Sequence, residues 1–552
     1  MEKKTSASKP LPSQSFAQEE ERILQFWKEK EIFKKIQKQK EHLPAYWYYD
    51  GPPFATGHPH HGHILASIVK DCIPRKKEME GYRVVRHFGW DCHGIPVEHA
   101  IEKELNLSTQ DAIQSLGVAG YNNACRGIVN RYTNEWKTTI ERIGRWVDFE
   151  RTYHTMDTPF MESVWWAVNQ LWNKGLIYQG TKVMPYSTAL ATSLSNFEAS
   201  SNYHMLQNPA ITVLFWCESV QAYLAVWTTT PWTLPTNLAI AVGSHKYARV
   251  HDNERQYDLI VSDHYAASLS KERYTLVEEI SAKNLIGLTY QPIFTEFAKH
   301  PQAFTILHDD FVSIDEGTGL VHMAPAHGED DYRVCAQHNI KPICILDKHG
   351  HFDTSIPELT GHWFRDANTI IIKKIKSIGQ LHHHDVIEHS YPCCPRTDTP
   401  LIYMSIPAWF VDIQQIKQRL CTHNQSIHWV PEHIRDGRFG KWLQNAKDWA
   451  ISRSRYWGTP LPIWINQDSG KILCIDSLAT LAKYSGVKVD DMHREHIDPI
   501  EFKLPGEKGI YKRIPEVLDC WFESASVPFA QFHYPFTNPQ HFESLFPADF
   551  IA

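Results

Sequence analysis

Apolar positions recur at roughly helical spacing over residues 16–40, at Ile23, Leu24, Phe26, Trp27, Ile32, Phe33 and Ile36, with charged residues between them. The pattern predicts an amphipathic helix, broken near Glu31 and ended before Pro44. The aromatic run 46–49 predicts a short strand. Asp50-Gly51-Pro52-Pro53 ends it, because two prolines remove ladder donors. After a loop to about His60, the residues Ile64, Leu65, Ile68, Val69 and Cys72 fall on one face of a helix starting near His61, and 84–88 reads as a second strand. Strand, loop, helix and strand in this order are the βαβ unit of a parallel α/β sheet.

Helical spacing continues through 124–143 and 161–174, where Trp136, Trp165, Trp166 and Trp172 are expected as large buried anchors. From about residue 202 to 388 the pattern changes to short β-branched and aromatic runs, at 211–217, 223–230, 239–242, 247–251 and 304–307, with polar turns between them. That change predicts a separate, mostly-β inserted domain. After Tyr391 the Trp-rich α/β character returns through Trp409, Trp449, Trp457, Trp464 and Trp521. The expected organisation is an amino-terminal arm and helix (1–45, its first 15 residues a loose polar arm), a first α/β part (46–200), the insert (201–388) and a return to the α/β domain (389–552). No internal repeat is visible.

The chain's 552 residues, at ~100 to 200 per domain, exclude a single small module. With 56 Lys and Arg against 63 Asp and Glu, the net charge of -7 excludes a global basic field, so a nucleic acid would be held by a local patch. No apolar run approaches the ~18 residues of a membrane span, and the first residues lack a secretory signal, so the expected location is the cytoplasm. The 11 cysteines are spread along the chain, and several, Cys217, Cys344 and Cys520 among them, read as reduced buried thiols in a reducing compartment.

Four stretches carry candidate chemistry. His60-His61-Gly62-His63, where a loop enters a helix, places imidazole N–H donors beside free backbone amides at the positive end of a helix dipole, a setting for polyphosphate. Gly89-Trp90-Asp91-Cys92-His93-Gly94 follows a strand at the carboxyl edge of the sheet, and Asp91 there can hold an ammonium group. Cys92 with His93 lacks a second ligand pair at chelating spacing. Thr228-Thr229-Thr230-Pro231-Trp232 reads as a strand whose alternating faces present hydroxyls to a pocket, or as plain β-propensity. Its partner is the run 317–332, Gly-Thr-Gly-Leu-Val-His-Met-Ala-Pro-Ala-His-Gly-Glu-Asp-Asp-Tyr. Arg453 and Arg455 are candidates to face phosphate, and His382-His383-His384 reads as a solvated turn. No Ser-His-Asp arrangement is present, so any hydrolysis is expected to use a positioned water rather than an acyl-enzyme.

These motifs resemble the class I aminoacyl-tRNA synthetases. His60-His61-Gly62-His63 is similar to their "HIGH" element, with His61 at its variable second position, and the lead-in Asp50-Gly51-Pro52-Pro53-Phe54-Ala55-Thr56-Gly57 resembles the isoleucine-specific branch rather than its valine and leucine relatives. The resemblance implies a Rossmann-like parallel sheet interrupted by a large mostly-β editing domain. It further implies ATP contacts at Gly57, His60, Gly62 and His63, His60 and His63 being the catalytic pair, and an amino-acid site at Pro52, Pro53 and Asp91. Editing would use Thr228, Thr229, Thr230, Asn237, His322 and Asp331, with Asp331 on the ammonium of a misattached amino acid and His322 shaping the pocket and positioning water. Such a second sieve is needed because one methylene is worth only ~1 to 3 kcal/mol in an apolar pocket, a limit for which isoleucine against valine is the standard example.

The partners implied are ATP with Mg2+, isoleucine and the isoleucine tRNA. No zinc is expected, because Pro185-Tyr186-Ser187-Thr188 and the adjacent Cys393-Cys394 stand where some relatives carry Cys-x-x-Cys pairs. The resemblance runs from about Phe16 to Ala552 and does not reach the Glu-Gly-x-Asp-Gln segment, the "KMSKS" loop or the anticodon-binding domain. The expectation is therefore an amino-terminal portion, either cut short or completed by a second polypeptide, and slow to activate isoleucine alone. A free-standing editing hydrolase, an inactive remnant, and a valyl or leucyl relative are the alternatives.

Overall fold

Glu31 is where the amino-terminal helix breaks, with a left-handed φ of 50° between helices Phe16–Glu29 and Ile32–Gln39 in the computed structural model, which describes residues 15–552. Ser15 opens the first helix with a capping box: its hydroxyl accepts from Gln18 N–H at 3.4 Å, and the Gln18 side chain accepts from Ser15 N–H at 3.1 Å. The expected loose arm lies, but for Ser15, outside the described residues. The described chain divides into two compact units. One comprises the residues up to Ile177 together with Val411–Ala552, the other Tyr178–Phe410.

The first unit has the parallel α/β character that the βαβ spacing predicts. Tyr48–Tyr49 runs parallel to Phe550–Ile551, and His87–Trp90 runs parallel to Asp148–His154. Tyr46 N–H donates to Arg83 O at 2.9 Å, and Asp91 N–H to Pro53 O at 2.9 Å, so the Asp-Gly-Pro-Pro loop is stitched alongside the second strand. That strand starts three residues later than its 84–88 pattern. Val84 is buried, but the ladder runs at His87–Trp90, which places Asp91 at the first residue past the strand end.

Helix His61–Met79 differs from expectation in what it buries. Leu65, Ile68, Val69 and Cys72 face solvent, while Ser67, Pro74 and Glu78 are buried. The inner face is taken by polar partners from the segments that lead into the two strands: Arg145 Nη1 donates to Ser67 Oγ at 3.3 Å and Arg86 Nη2 to Glu78 Oε2 at 2.6 Å. Trp136 and Trp165 are buried anchors as expected, whereas Trp166 and Trp172 are only half-buried. All 11 cysteines are free thiols. Cys217 and Cys520 are buried, but Cys344 is exposed. No helix of the described residues is long and apolar enough to cross a membrane.

The second unit is built on a nine-stranded mixed sheet. Strand Ala222–Thr228 lies inside it, antiparallel to Tyr203–Cys217 and parallel to Leu320–Met323 and Tyr257–Ser262. Its core mixes aliphatic residues such as Val213, Leu224, Val226, Ile240 and Ile306 with buried aromatic ones such as Phe215, Tyr247 and Tyr290. The three histidines at 382–384 are not a turn. They lie in strand Leu381–Pro392, where His382 sits between the hydroxyls of Tyr257 and Tyr274, at 3.0 and 3.2 Å.

Candidate functional site

His60 caps helix His61–Met79. Gly62 N–H donates to His60 Nδ1 at 3.1 Å, and His60 N–H donates to His63 Nδ1 at 3.2 Å. The two rings stack with centroids 3.7 Å apart. A Cβ at residue 62 would sit 2.9 Å from His60 Cε1, so glycine makes room for the stack. Because both Nδ1 atoms accept, the neutral rings carry their protons on Nε2, as donors at the positive end of the helix. Burial, reinforced by His60 and Lys70, lowers the pKa of His63 and favours that neutral form. Trp136 braces the pair: its ring meets His63 edge-on at 4.8 Å and its Nε1 donates to Gly57 O at 2.6 Å. A Cβ at Gly57 would meet nothing within 4 Å, so that residue contributes its carbonyl rather than its smallness.

The described residues contain no group of three His, Cys, Asp or Glu placed to hold a metal ion. The donor set around His60 and His63 is nitrogen, which does not suit a hard ion such as Mg2+. Such an ion fits here only with a nucleotide whose phosphate oxygens ligate it, where it would neutralise phosphate charge.

Asp50, in the loop before the histidines, is an anchor: Lys70 Nζ donates to its Oδ1 at 2.6 Å and Arg145 pairs with its Oδ2. Asp91 is different. It is 1% exposed, it accepts from Ser524 Oγ on its Oδ2 at 2.5 Å, and its Oδ1 is buried without a hydrogen-bond partner among the described residues. Burial drives its pKa well above the usual carboxylate range, with Glu523 adding to the rise. A buried carboxylate oxygen with no donor is suited to an arriving ammonium group. Pro53 holds this loop through its carbonyl, which accepts from Asp91 N–H.

Behind Asp91 runs a chain of buried polar groups to which local sequence patterns assign no partners. His93 Nδ1 lies 2.7 Å from Glu523 Oε2, His93 Nε2 lies 3.0 Å from His493 Nε2, and His493 Nδ1 lies 2.5 Å from Asp491 Oδ1. His493 stacks on Trp457 with ring centroids 4.5 Å apart. Glu523 and Ser524 are adjacent in helix Cys520–Ala530, so this helix grips the 91–93 loop at two points. Arg453 and Arg455 are buried and already committed. Arg453 Nη2 donates to Asp519 Oδ2 at 2.6 Å, and Arg455 pairs with Glu98 and with Glu102, so neither stands exposed to a phosphate. The expectation fails because their carboxylate partners on the 95–105 helix and at residue 519 are remote in sequence.

The second unit holds a cavity of about 350 Å³, walled by Trp227, Thr228, Thr229, Thr230, Phe311 and Asp331 among others. Only Thr228 belongs to the strand; Thr230 caps the 3-10 helix Pro231–Thr236. The three threonines therefore reach one cavity because the chain turns there, and not by strand alternation. Thr230 N–H donates to Thr228 Oγ1 at 3.1 Å, Thr233 Oγ1 donates to Thr230 O at 2.8 Å, and Thr229 has no side-chain hydrogen bond among the described residues.

His322, on strand Leu320–Met323, is flanked on both ring nitrogens, with Nε2 2.8 Å from Thr233 Oγ1 and Nδ1 2.9 Å from Asn237 Nδ2. Asn237 stands behind His322 rather than in the cavity wall. Burial lowers the pKa of His322 to about 3, with nearby His327 adding to the fall, and that of His327 to about 4. Asp331 lies in the first turn of helix Glu329–Gln337 and accepts from Ala324 N–H on Oδ2 at 2.8 Å; burial raises its pKa to about 6. The arrangement offers one carboxylate to a cation and several hydroxyls to a polar group, with no imidazole free to act as a base.

Residues 22–552 match the family model described as tRNA synthetases class I (I, L, M and V). An isoleucine–tRNA ligase of Chlamydia pneumoniae is 49% identical over 543 residues, covering 98% of this chain and 52% of the relative, and one of Bdellovibrio bacteriovorus is 49% identical over 555 residues, covering 99% and 52%. This chain thus spans about half the length of these relatives. Among solved structures, a complex from Agrobacterium radiobacter of a leucine-type synthetase with tRNA aligns over 94% of this chain and 60% of its own, at 15% identity and a TM-score of 0.41. With the family model matched along nearly the whole sequence, the chain belongs to the class I tRNA synthetases of the isoleucine, leucine, methionine and valine group.

Proposed function

We propose that the chain serves isoleucine–tRNA ligation. The carboxylate of isoleucine attacks the α-phosphorus of ATP, giving isoleucyl adenylate and pyrophosphate, and a hydroxyl of the terminal ribose of the isoleucine tRNA then displaces AMP. His60 and His63 hold the phosphates through their Nε2–H groups, and Asp91, oriented by Ser524, holds the α-ammonium group. Mg2+ accompanies the nucleotide. The second unit hydrolyses misattached valine: Asp331 captures the ammonium group, water attacks the ester carbonyl, and the ribose oxygen leaves with a proton. The expected setting is the cytoplasm.

The observation that carries this reading is that each unit has its own carboxylate suited to an ammonium group: Asp91, buried with one oxygen unpartnered among the described residues, in the unit that carries the stacked His60 and His63, and Asp331 in a cavity wall with Thr228, Thr229 and Thr230. Two receptors for one amino acid, set in different chemical company, suit selection followed by correction. The near-50% identity to isoleucine–tRNA ligases supports isoleucine as the substrate.

Deacylation of valyl- and isoleucyl-tRNA, both on the isoleucine tRNA, is the test. The expected result is selective loss of the valyl ester, abolished in Asp331→Ala; equal hydrolysis of both esters, or an unaffected Asp331→Ala variant, overturns it. Isoleucine-dependent pyrophosphate exchange, compared with Asp91→Asn, tests the synthetic site separately. A second reading, hydrolysis alone, is favoured by one observation: every residue lining the cavity lies between Trp227 and Asp331, within a single unit.

A further inference from the structure

Behind the cavity wall, four side chains form a hydrogen-bond chain with only one consistent direction. Tyr290 is buried, and its hydroxyl donates to Asn237 Oδ1 at 2.7 Å. The Ala239 carbonyl, which can only accept, takes Nδ2 at 2.9 Å and fixes the amide in the same sense, so that Nδ2 also donates toward His322 Nδ1 at 2.9 Å. His322 Nδ1 must therefore carry a lone pair, and its proton sits on Nε2, 2.8 Å from Thr233 Oγ1. Thr233 Oγ1 accepts from the ring and so spends its own hydrogen on Thr230 O at 2.8 Å. Each donor in the chain is used once, and Tyr290 stands at its head.

We propose that Tyr290 is a positioning residue for the hydrolytic cavity: its hydroxyl, together with the Ala239 carbonyl, sets the direction of the Asn237–His322–Thr233 chain, holds His322 as a neutral Nε2–H imidazole and so orients the threonine turn that faces the ester. Tyr290 lies outside the cavity wall, in the segment between the strand at 274–281 and that at 305–308, and acts only through Asn237. The inference rests on the hydrolytic reading of this cavity, and it assigns to His322 a fixed donor's role instead of a base's.

An imidazolium at His322 would need an acceptor at Nδ1, where Asn237 presents a donor, so the lock opposes protonation as well as the other tautomer. The other charged or titratable groups near the ring are His327, whose Nδ1 lies 3.0 Å from Tyr403 O, and Asp331, across the cavity; the Cys335 thiol lies near Tyr290 itself. Without the tyrosine hydroxyl, Asn237 Oδ1 is left buried without a donor. Only the bond from Nδ2 to Ala239 O then holds the amide: turning its oxygen onto Nδ1–H gives up that bond and is repaid by a hydrogen bond to a charged ring, which admits the imidazolium at lower pH.

The test uses the full chain labelled with 15N-histidine, the His322 signals being identified by their absence in His322→Asn. In the wild type, Nδ1 is expected to be pyridine-like and Nε2 pyrrole-like, unchanged from pH 8 down to pH 5. In Tyr290→Phe the ring is expected to titrate within that range, and valyl-tRNA deacylation to lose about tenfold in kcat with KM unchanged, the scale of one net hydrogen bond. Asn237→Asp, which puts an acceptor opposite Nδ1, should give a charged ring outright. A wild-type ring that is charged or protonated on Nδ1 at pH 7 overturns the proposal, as does a Tyr290→Phe variant with wild-type ring signals, pH response and kcat. Ring signals as expected in a wild-type chain that hydrolyses neither ester would keep the lock and refute the hydrolytic reading instead.

Discussion

Gly328→Ala tests the ammonium receptor without touching its charge. Gly328 precedes helix Glu329–Gln337 with φ −126° and ψ 133°, a conformation alanine adopts freely, so the substitution strains no backbone. Its Cβ, however, would lie 2.5 Å from the carboxyl carbon of Asp331 and 2.6 and 2.7 Å from the two oxygens. Carbon contacts are favourable only from ~3.5 Å, so the carboxyl must retreat by roughly 1 Å. The 2.8 Å bond from Ala324 N–H to Oδ2 cannot survive that shift. A hydrogen bond to a charged group is worth ~1.5 to 3 kcal/mol, and a misplacement of ~1 Å at a binding group costs on the order of 10²-fold in rate. The expectation is a fall of about 10²-fold in kcat/KM for valyl-tRNA deacylation, approaching the loss in Asp331→Ala, with thermal stability lowered only slightly because a short side-chain end is what moves. Steady-state deacylation with purified variants reads the first quantity and thermal melting the second. Deacylation within twofold of wild type would refute the assignment of Asp331, since the carboxylate cannot both hold its place and admit this methyl group.

Four further outcomes follow from the burial of polar and charged groups. Deacylation kcat/KM should fall as pH drops through about 6, where Asp331 gains its proton and can no longer pair with an ammonium group; a flat profile from pH 5 to 8 would count against it. Asp91→Asn keeps an acceptor for Ser524 but removes the charge, so isoleucine-dependent exchange should drop at least about 10²-fold. A carboxyl raised above its unfolded pKa of ~3.9 lowers stability as pH climbs from the unfolded toward the folded value, so Asp91→Asn should match wild type in urea midpoint near pH 4 and exceed it at pH 8. His493→Leu leaves His93 Nε2 buried without its partner and should cost ~1 to 3 kcal/mol, read as a lower urea midpoint for the unit containing Trp457.

Much of the architecture is written locally in the chain. Helical periodicity with a defect at Glu31 gives two helices and their hinge, and the prolines after Asp50 give the loop that Asp91 holds. What local pattern cannot supply is partnership across hundreds of residues. His93 meets Glu523 and His493 at separations of 430 and 400 residues, and Arg455 meets Glu98 at 357, so the sequence displays the charges but not their pairing. Periodicity also misleads where the exposed face of a helix is apolar, as with Leu65 and Ile68. The threonine run misleads in another way. Its composition favours a strand, but Pro231 and Pro235 turn the chain into a 3-10 helix, and that turn brings Thr229 and Thr230 to the cavity.

If the cavity hydrolyses an ester as proposed, its chemistry follows from which of its groups are already occupied. A covalent route would need a hydroxyl nucleophile and a base to deprotonate it. Thr229 has an uncommitted hydroxyl, but the imidazoles of the wall cannot serve as its base: His322 has neighbours on both nitrogens, and burial pulls it and His327 down to about 3 and about 4. Bases that weak gain almost nothing by taking a proton from an alcohol. Asp331, the other candidate, is expected to be spent on the ammonium group. The remaining nucleophile is water, which enters a polar cavity of about 350 Å³ more readily than a closed apolar one. On the proposed reading the protein's part is to orient the ester by its ammonium group and the water by its hydroxyls, while the proton is taken up by the departing ribose oxygen. On this argument Thr229→Val should lower deacylation only moderately, by about tenfold or less, because it removes one of several positioning contacts. Complete loss in that variant, with a trapped acyl-protein in the wild type, would mean that the threonine is a nucleophile after all.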